Sequence, residues 1–162
     1  MGIEYTAGGV ATADIAAKAV TSAKLDDTTV KYALVEISAD DIKALYTTAK
    51  ELVATPGAGY VLEFISIVLT YEYGTIVYDL TSCTDLEVRI TNKSGSAVST
   101  TQAVAGMLDQ SSDQIRALDK LEASVTPVDA APLCLALDGA DPTAGDGLVH
   151  AMVSYRILPT GV

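Results

Sequence analysis

Apolar residues recur along the chain with the spacing of β-strands, and the clearest case is the segment 60–73. This segment is rich in β-branched and aromatic residues and is long enough to cross a sheet with a bend. From Val61 onward its odd positions are mostly apolar, while its even positions mix Phe64 and Val68 with Ser66. We therefore expect both faces of this strand to be at least partly covered, as in a sandwich core or a subunit interface.

Shorter segments complete a mainly β pattern with one short helix. Residues between turn signals predict further strands at 31–37, 51–54, 75–78, 86–91, 131–137 and 148–158. A helical turn or two should follow the first strand, because Ser38 is placed to cap it and Asp40 and Asp41 lie where the helix dipole favours negative charge. The predicted fold class is mainly β: a β-sandwich, jelly-roll-like, with one short helix and an extended N-terminal arm.

The stretch 96–126 is less regular than the rest of the predicted domain. Residues 115–118 are compatible with a helical turn, and residues 109–113 have the composition of a polar loop. The loop 138–147 contains three aspartates and three glycines, a composition typical of turns, before the closing strand. Turns of this kind separate the strands of a single domain, which we place at 31–162.

Residues 1–30 differ in character from everything that follows, and we predict that they form an extended N-terminal arm. The large aliphatic residues of the stretch 11–25 are Ile15, Val20 and Leu25, five positions apart among Ala, Thr, Ser and Lys. That spacing matches neither the period of a strand nor that of a helix. Such a segment cannot offset its own ordering entropy, so it is a flexible leader or an arm that orders against another subunit.

Charge limits the kinds of partner. The chain has 21 acidic and 10 basic residues, a formal net charge of −11, and no cluster of Lys or Arg. A nucleic-acid partner is therefore excluded, because phosphate binding needs a basic surface, and anionic membranes are disfavoured for the same reason. The apolar run 60–69 is interrupted by Glu63 and Ser66 and is too short to span a bilayer. No signal-peptide pattern follows Met1, so synthesis in a reducing cytoplasm is expected.

Residues with reactive or metal-binding side chains are few, and none forms a recognisable motif. His150 lies in the last predicted strand without a nearby nucleophile in the sequence, so a half-buried strand histidine is the favoured interpretation. Cys83 and Cys134 are expected to be buried free thiols, with a disulfide as the alternative.

Two loops contain residues of the types that bind ligands. Asp138, Asp141 and Asp146 offer hard oxygen donors for Ca²⁺, but they lack the order of an EF-hand loop, and a solvated turn is favoured. The Gly-x-Gly of residues 56–59 precedes a strand rather than a helix, which argues against phosphate binding. No catalytic residue, cofactor or metal is predicted.

Two parts of the sequence resemble structural proteins of tailed bacteriophages. Residues 14–25, DIAAKAVTSAKL, resemble the Ala/Thr/Lys linkers of phage virion proteins, tail fibres especially. The domain is similar to small capsid decoration (cement) proteins in its ISADDIKAL segment at 37–45, in the turn at 56–59 before a long strand, and in the Gly-Asp-Gly of 145–147 before a strand with Tyr155 and Arg156.

This resemblance implies a non-enzymatic protein on the capsid exterior of the virion. It implies a homo-oligomer, often a homotrimer, that binds the major capsid protein and stabilises the capsid, while its arm engages neighbouring subunits. Ile15, Val20 and Leu25 would then be the partner-binding residues of the arm. The resemblance adds no nucleic-acid or membrane partner.

Three functions other than capsid stabilisation are also compatible with the sequence. The leader also suits a tail-fibre or tail-tip subunit that binds host glycans, for which Tyr71, Tyr73 and Tyr78 are the candidate residues. A sugar-binding module unrelated to phages is the second alternative. An enzyme is the third, and it would need ionisable groups that converge in a pocket.

Overall fold

The computed structural model of the chain describes residues 29–122 and 125–160, and it shows a mainly β protein. The described elements are β1 (Lys31–Ile37), α1 (Ala39–Ile42), β2 (Lys50–Val53), β3 (Tyr60–Glu72), β4 (Tyr78–Asp79), β5 (Asp85–Ile90), β6 (Gln102–Ala103), β7 (Gln114–Asp119), β8 (Leu133–Leu137), β9 (Thr143–Ala144) and β10 (Leu148–Pro159). The arm predicted at 1–30 lies almost entirely outside the described residues. The helix α1 has four residues and is too short to cross a membrane.

The strands form two four-stranded antiparallel sheets and one small pair. The first sheet has the order β1-β10-β3-β7, the second has the order β2-β8-β5-β6, and β4 pairs with β9. The first sheet therefore joins the two ends of the described chain, since β1 lies beside β10. Contacts between distant parts of the sequence hold it together.

One apolar cluster is shared by the two sheets. From the first sheet it includes Ile67 and Val153, which are fully buried, and from the second it includes Val88 and Leu135. In β5 and β8 the contributing side chains come from alternate positions, as the pleat of a β-strand requires. Burial of one face of each sheet supplies the main stabilising term of the fold.

A β-bulge in β3 changes which side chains face the core. Ser66 pairs with Ser154 and Phe64 pairs with Tyr155, so Ile65 is an extra residue on β3. Phe64 and Ile67 are consequently both buried although they are three positions apart. The bulge explains why large apolar residues occupy both odd and even positions of the segment 60–73.

The predicted cap of the short helix is confirmed. The Asp41 amide donates to Ser38 Oγ at 3.2 Å, and the Ser38 amide donates to Asp41 Oδ2 at 3.0 Å, which is a reciprocal capping box. Lys50 Nζ also contacts Asp41 Oδ2 at 2.6 Å. Partial burial would raise the pKa of Asp41, but the hydrogen bonds from Lys50 and Ser38 outweigh it and hold the pKa below its ordinary value.

Two local predictions are wrong. Residues 115–118 lie in strand β7 rather than in a helix, because pairing with β3 satisfies their backbone and a four-residue apolar pattern does not distinguish the two states. Residues 75–77 are a loop rather than a strand, and only Tyr78 of the predicted 75–78 strand belongs to β4. The amides of Thr75 and Ile76 donate to Asp146 Oδ1 instead of to a neighbouring strand.

Candidate interaction surface

The outer face of the first sheet carries a row of apolar side chains that crosses all four strands. Leu34 of β1 pairs with Met152 of β10, which pairs in turn with Val68 of β3. Val68 then pairs with Ala117 of β7, so the row is complete. With neighbouring strands about 4.8 Å apart, the row is about 15 Å long.

This row and its apolar neighbours are mostly exposed, with Val68 half-buried at the centre of the sheet. Leu34 is 76% exposed and Met152 is 45% exposed, while Tyr32 and Ile115, in the adjacent rows, are 60% and 67% exposed. We call this surface the outer band; it consists of Tyr32, Leu34, Val68, Ile115, Ala117 and Met152. Large side chains of this kind that lie together and face solvent are typical of protein-binding surfaces.

The alternation of the strands explains why the outer band does not join the core. On β10, Ala151 and Val153 are fully buried on one face, and Met152 between them points to the other face. On β1, Ile37 is fully buried while Leu34 lies on the opposite face. Both faces of these strands therefore carry apolar residues, but only one face is covered within the described chain.

Polar and charged residues flank the outer band. Glu36 pairs with His150 on the neighbouring strand, and His150 Nε2 lies 3.8 Å from Glu72 Oε2. On the opposite side of the apolar row, Asp119 pairs with Ser66. The interpretation of His150 as a half-buried strand histidine is confirmed, because its side chain is 38% exposed within β10.

A second surface feature is an apolar pocket of about 400 Å³ beside the first half of β3. Both sheets line it, with Leu62 and Phe64 from the first and Ile90 from the second, and Leu121 and Val125 from the chain after β7 contribute as well. We call it the β3 pocket. Its volume and its mainly apolar lining are in the range of sites that bind a ligand or a side chain.

Glu63 holds two cations at the rim of the β3 pocket. Its Oε1 accepts from Lys120 Nζ at 2.6 Å, and its Oε2 accepts from Arg156 Nε at 2.8 Å and Nη2 at 2.6 Å. Partial burial would raise the pKa of Glu63, but the hydrogen bonds from Lys120 and Arg156 outweigh it and lower the pKa. This network ties β3, β10 and the end of β7 together.

The three aspartates that could have bound Ca²⁺, Asp138, Asp141 and Asp146, instead hold loops in place. Asp141 accepts from the amides of Tyr46 and Thr47 at 2.8 and 3.1 Å, and also from the Thr47 hydroxyl. Asp146 accepts from the amides of residues 75 and 76, and Asp138 faces Arg89 Nη2 at 3.3 Å. The three carboxylates thus serve three separate partners. Within 29–122 and 125–160, no three His, Cys, Asp or Glu side chains are grouped to hold a metal ion.

The most buried carboxylate is also structural. Glu87 is 5% exposed and forms an ion pair with Arg89 Nη2, although Glu87 Oε1 lacks hydrogen-bond geometry toward it. Arg89 Nη1 also donates to the Gly95 carbonyl at 3.1 Å. Burial raises the pKa of Glu87, and Arg89 opposes the change only in part.

The thiols and the tyrosine cluster are poorly placed for chemistry or for glycan binding. Cys83 and Cys134 are both free, as predicted, with Cys134 buried and Cys83 half-buried. Tyr71 and Tyr78 are 0% and 2% exposed, and their ring centroids lie 6.4 Å apart. Tyr73 donates its hydroxyl to a backbone carbonyl two residues later. Two of the three candidate tyrosines therefore cannot stack against a sugar.

The arm residues Ile15, Val20 and Leu25 lie outside the described residues, so their role as partner-binding residues stays a prediction. Sequence reasoning did not find the outer band or the β3 pocket. The band could have been suspected from β1, where Tyr32 and Leu34 occupy one face and Ile37 the other.

No family model, curated protein or solved structure matches the chain.

Proposed function

We propose that this chain is a structural protein of a bacteriophage virion that binds and stabilises the outer surface of the capsid. In this proposal it acts as a homo-oligomer, a homotrimer, and not as an enzyme, and its N-terminal arm engages neighbouring subunits. The observation that carries the proposal is the outer band, an exposed apolar row that crosses a whole sheet. We further propose that the two sheets pack face to face as a jelly-roll-like β-sandwich, which their shared apolar cluster supports.

The outer band suits the centre of a protein interface. A row about 15 Å long is too small to supply by itself the roughly 800 Å² of surface that each partner contributes to a stable interface. The band would therefore form the apolar centre, and the flanking Glu36, His150 and Asp119 would belong to a polar rim. The backbone of a β-sheet is already ordered before binding, which reduces the entropy cost of repeated contacts in a lattice.

The phage assignment rests on the sequence. The leader at 14–25 and the domain pattern resemble virion proteins, and the net charge of −11 suits an outer surface that repels nucleic acid. A major capsid protein and a second copy of the chain are the partners that this assignment names. The virion exterior is the corresponding location.

The proposal is tested by light scattering of the purified full chain and by its cosedimentation with phage heads that lack outer proteins. We expect an oligomer that binds heads in a fixed, saturable ratio. Leu34→Ser combined with Met152→Ser should abolish both the oligomer and the binding. Ile76→Ser is the matched control, because Ile76 is 55% exposed but lies outside the outer band.

Two results would overturn this assignment. A wild-type protein that is monomeric and does not bind heads would refute it. A stable, elongated trimer that ignores heads would instead favour the tail-fibre alternative, with host glycans as the next ligands to test. If the double variant Leu34→Ser and Met152→Ser forms the oligomer and binds heads as well as the Ile76→Ser control does, the outer band is not the interface.

A further inference from the structure

The strand β1 lies at the edge of the first sheet. It pairs with β10 on one side, and no other described strand lies on its second side. In an antiparallel sheet the amide and the carbonyl of one residue point toward the same neighbouring strand, and this direction alternates from residue to residue. The direction at one point of the sheet therefore fixes which residues of β1 bond to β10 and which point away from it.

Asp119 fixes that direction at the opposite edge of the sheet. Its amide donates to Thr100 Oγ1 at 3.1 Å, and its carbonyl accepts from the Thr100 amide at 2.8 Å, so both groups point away from β3. Its partner on β3, Ser66, therefore directs its own amide and carbonyl toward β10. Val68, two positions later, has the same direction, and the backbone groups of its partner Met152 consequently point toward β3.

The same alternation leaves three residues of β1 with backbone groups that point outward. Leu34 pairs with Met152, whose backbone groups are directed at β3, so the amide and carbonyl of Leu34 point away from the sheet. Tyr32 and Glu36, two positions to either side, point the same way. Within 29–122 and 125–160, no residue hydrogen-bonds to these outward groups. The edge therefore offers a regular series of donors and acceptors to an added strand.

The other strand edges of the described chain are less suited to pairing. Strands β4, β6 and β9 have two residues each, and β2 has four, with a register shift in its pairing with β8. On β7, Asp119 is bonded to Thr100, and the Ile115 carbonyl accepts from Arg116 Nη1 at 2.9 Å. Short strands, irregular pairing and occupied backbone groups all hinder the addition of a strand. Strand β1 has seven residues in continuous register, so the edge of a second copy that fits it best is β1 itself.

The side chains of β1 are complementary to those of a second, antiparallel β1. With a twofold axis at Leu34, Leu34 lies opposite its own copy and Tyr32 lies opposite Glu36, whose carboxylate can accept from the tyrosine hydroxyl. The two Glu36 side chains are then about 14 Å apart, beyond the screening length of about 8 Å. A shift of two residues that placed Glu36 opposite Glu36 would be disfavoured by repulsion. Charge thus favours the register centred on Leu34.

We propose that two copies of this chain pair through β1, antiparallel and about a twofold axis at Leu34, so that their first sheets form one continuous sheet of eight strands. The two apolar rows of the outer band would then join into one row about 34 Å long. This inference goes beyond the proposed function and does not require it. The β1 contact uses backbone groups in the plane of the sheet, whereas the outer band uses side chains perpendicular to it, so β1 pairs can also join two trimers.

Cysteine cross-linking of the full chain tests the proposed register. The background is Cys83→Ser, which removes the more accessible native thiol. Residues that bond directly across an antiparallel pair have Cα atoms about 5.5 Å apart, within the reach of a disulfide. Leu34→Cys should therefore give a disulfide-linked dimer on mild oxidation. Tyr32→Cys and Glu36→Cys should link when the two variants are mixed but not alone, because like positions are about 14 Å apart.

The pattern of cross-links decides the outcome. These three side chains are exposed on β1, so the substitutions should leave the fold intact. Failure of Leu34→Cys to form more dimer than the Cys83→Ser background would overturn the proposal, whatever other partner β1 has. Linking of Tyr32→Cys alone as efficiently as in the mixture would also overturn it, because that result requires another register or a contact between sheet faces.

A second measurement uses charge. Tyr32→Lys places a cation opposite Glu36 at both ends of the pair, and Tyr32→Glu places a carboxylate there. Ile76→Lys and Ile76→Glu are the matched controls, because they change the net charge equally at a site that is 55% exposed and outside β1. In sedimentation velocity, we expect the ratio of dissociation constants between the two Tyr32 variants to be about tenfold larger than the ratio between the two Ile76 variants.

Equal ratios for the two positions would mean that only net charge matters and would refute the pairing of Tyr32 with Glu36. Neither cross-linking nor sedimentation of the purified chain measures binding to phage heads. The β1 pair and the proposed function can therefore fail independently.

Discussion

Replacing Glu63 with Gln should destabilise the protein at neutral pH by about 1–2 kcal/mol. Glu63 accepts hydrogen bonds from Lys120 and Arg156, and its side chain is 18% exposed, so the loss of its charge leaves both cations with a weaker partner. Hydrogen bonds to charged groups contribute about 1.5–3 kcal/mol when shielded from water. The Lys120 and Arg156 side chains are 53% and 40% exposed, so solvent screening reduces that figure.

The effect should depend on pH in a definite direction. Because the pKa of Glu63 is lower in the folded protein than its reference value of 4.5, its stabilisation is fully present above that value. It is lost as the pH falls through the folded pKa, where the carboxylate becomes protonated. The stability difference between wild type and Glu63→Gln should therefore shrink between pH 7 and about pH 3.

Urea unfolding followed by tyrosine fluorescence is a suitable assay, because the chain has eight Tyr and no Trp. At a slope of about 2 kcal/mol per molar urea, the midpoint should fall by about 0.5–1 M at pH 7. Glu51→Gln, at an exposed glutamate on β2, is the control and should change the midpoint little. A midpoint that does not move at pH 7, or a difference that is equally large at both pH values, would refute the argument from charge.

Two further predictions concern glycines and thiols. Gly57 and Gly139 have nearly equal φ angles of +98° and +97°, but a Cβ at Gly139 would lie 2.0 Å from the Ser82 carbonyl oxygen, whereas a Cβ at Gly57 meets nothing within 4 Å. Gly57→Ala should therefore lower the free energy of unfolding by about 1–2 kcal/mol, and Gly139→Ala should lower it by at least about 2 kcal/mol more. Equal melting temperatures of the two variants would show that the contact with Ser82 does not destabilise the Gly139 variant. Burial raises the pKa of Cys134 to about 11, so Ellman's reagent at about pH 8 should label Cys83 of the native protein before Cys134, and Cys83→Ser should remove the faster phase. A faster phase that persists in Cys83→Ser would show that Cys134 is accessible.

Local features of the fold could be predicted because they depend on neighbouring residues. Strand β1 has the predicted bounds 31–37, and the cap at Ser38 follows from a hydroxyl and a carboxylate three positions apart. The long strand β3 was recognisable from its β-branched and aromatic content. Residues 75–77 were mispredicted because the carboxylate that binds their amides, Asp146, lies some seventy positions away.

The outer band depends on strand neighbours, which the sequence pattern does not specify. Leu34 and Met152 are more than a hundred positions apart, and each alone is an ordinary exposed apolar residue. They form a row only because β1 pairs with β10 in one register, and a shift by one residue would move Leu34 to the other face. The β3 pocket likewise lies where β7 leaves β3 after Asp119.

Association through the outer band should respond to salt in a definite direction. Copies with a net charge of −11 repel one another, so an interface centred on the uncharged outer band has to overcome this repulsion. Screening by added salt should therefore strengthen association through the band. An interface centred on ion pairs would instead weaken as salt is added, because screening reduces the attraction between opposite charges. Light scattering at increasing NaCl concentrations distinguishes the two cases, and an oligomer that dissociates as salt is added would show that the outer band is not the centre of the interface.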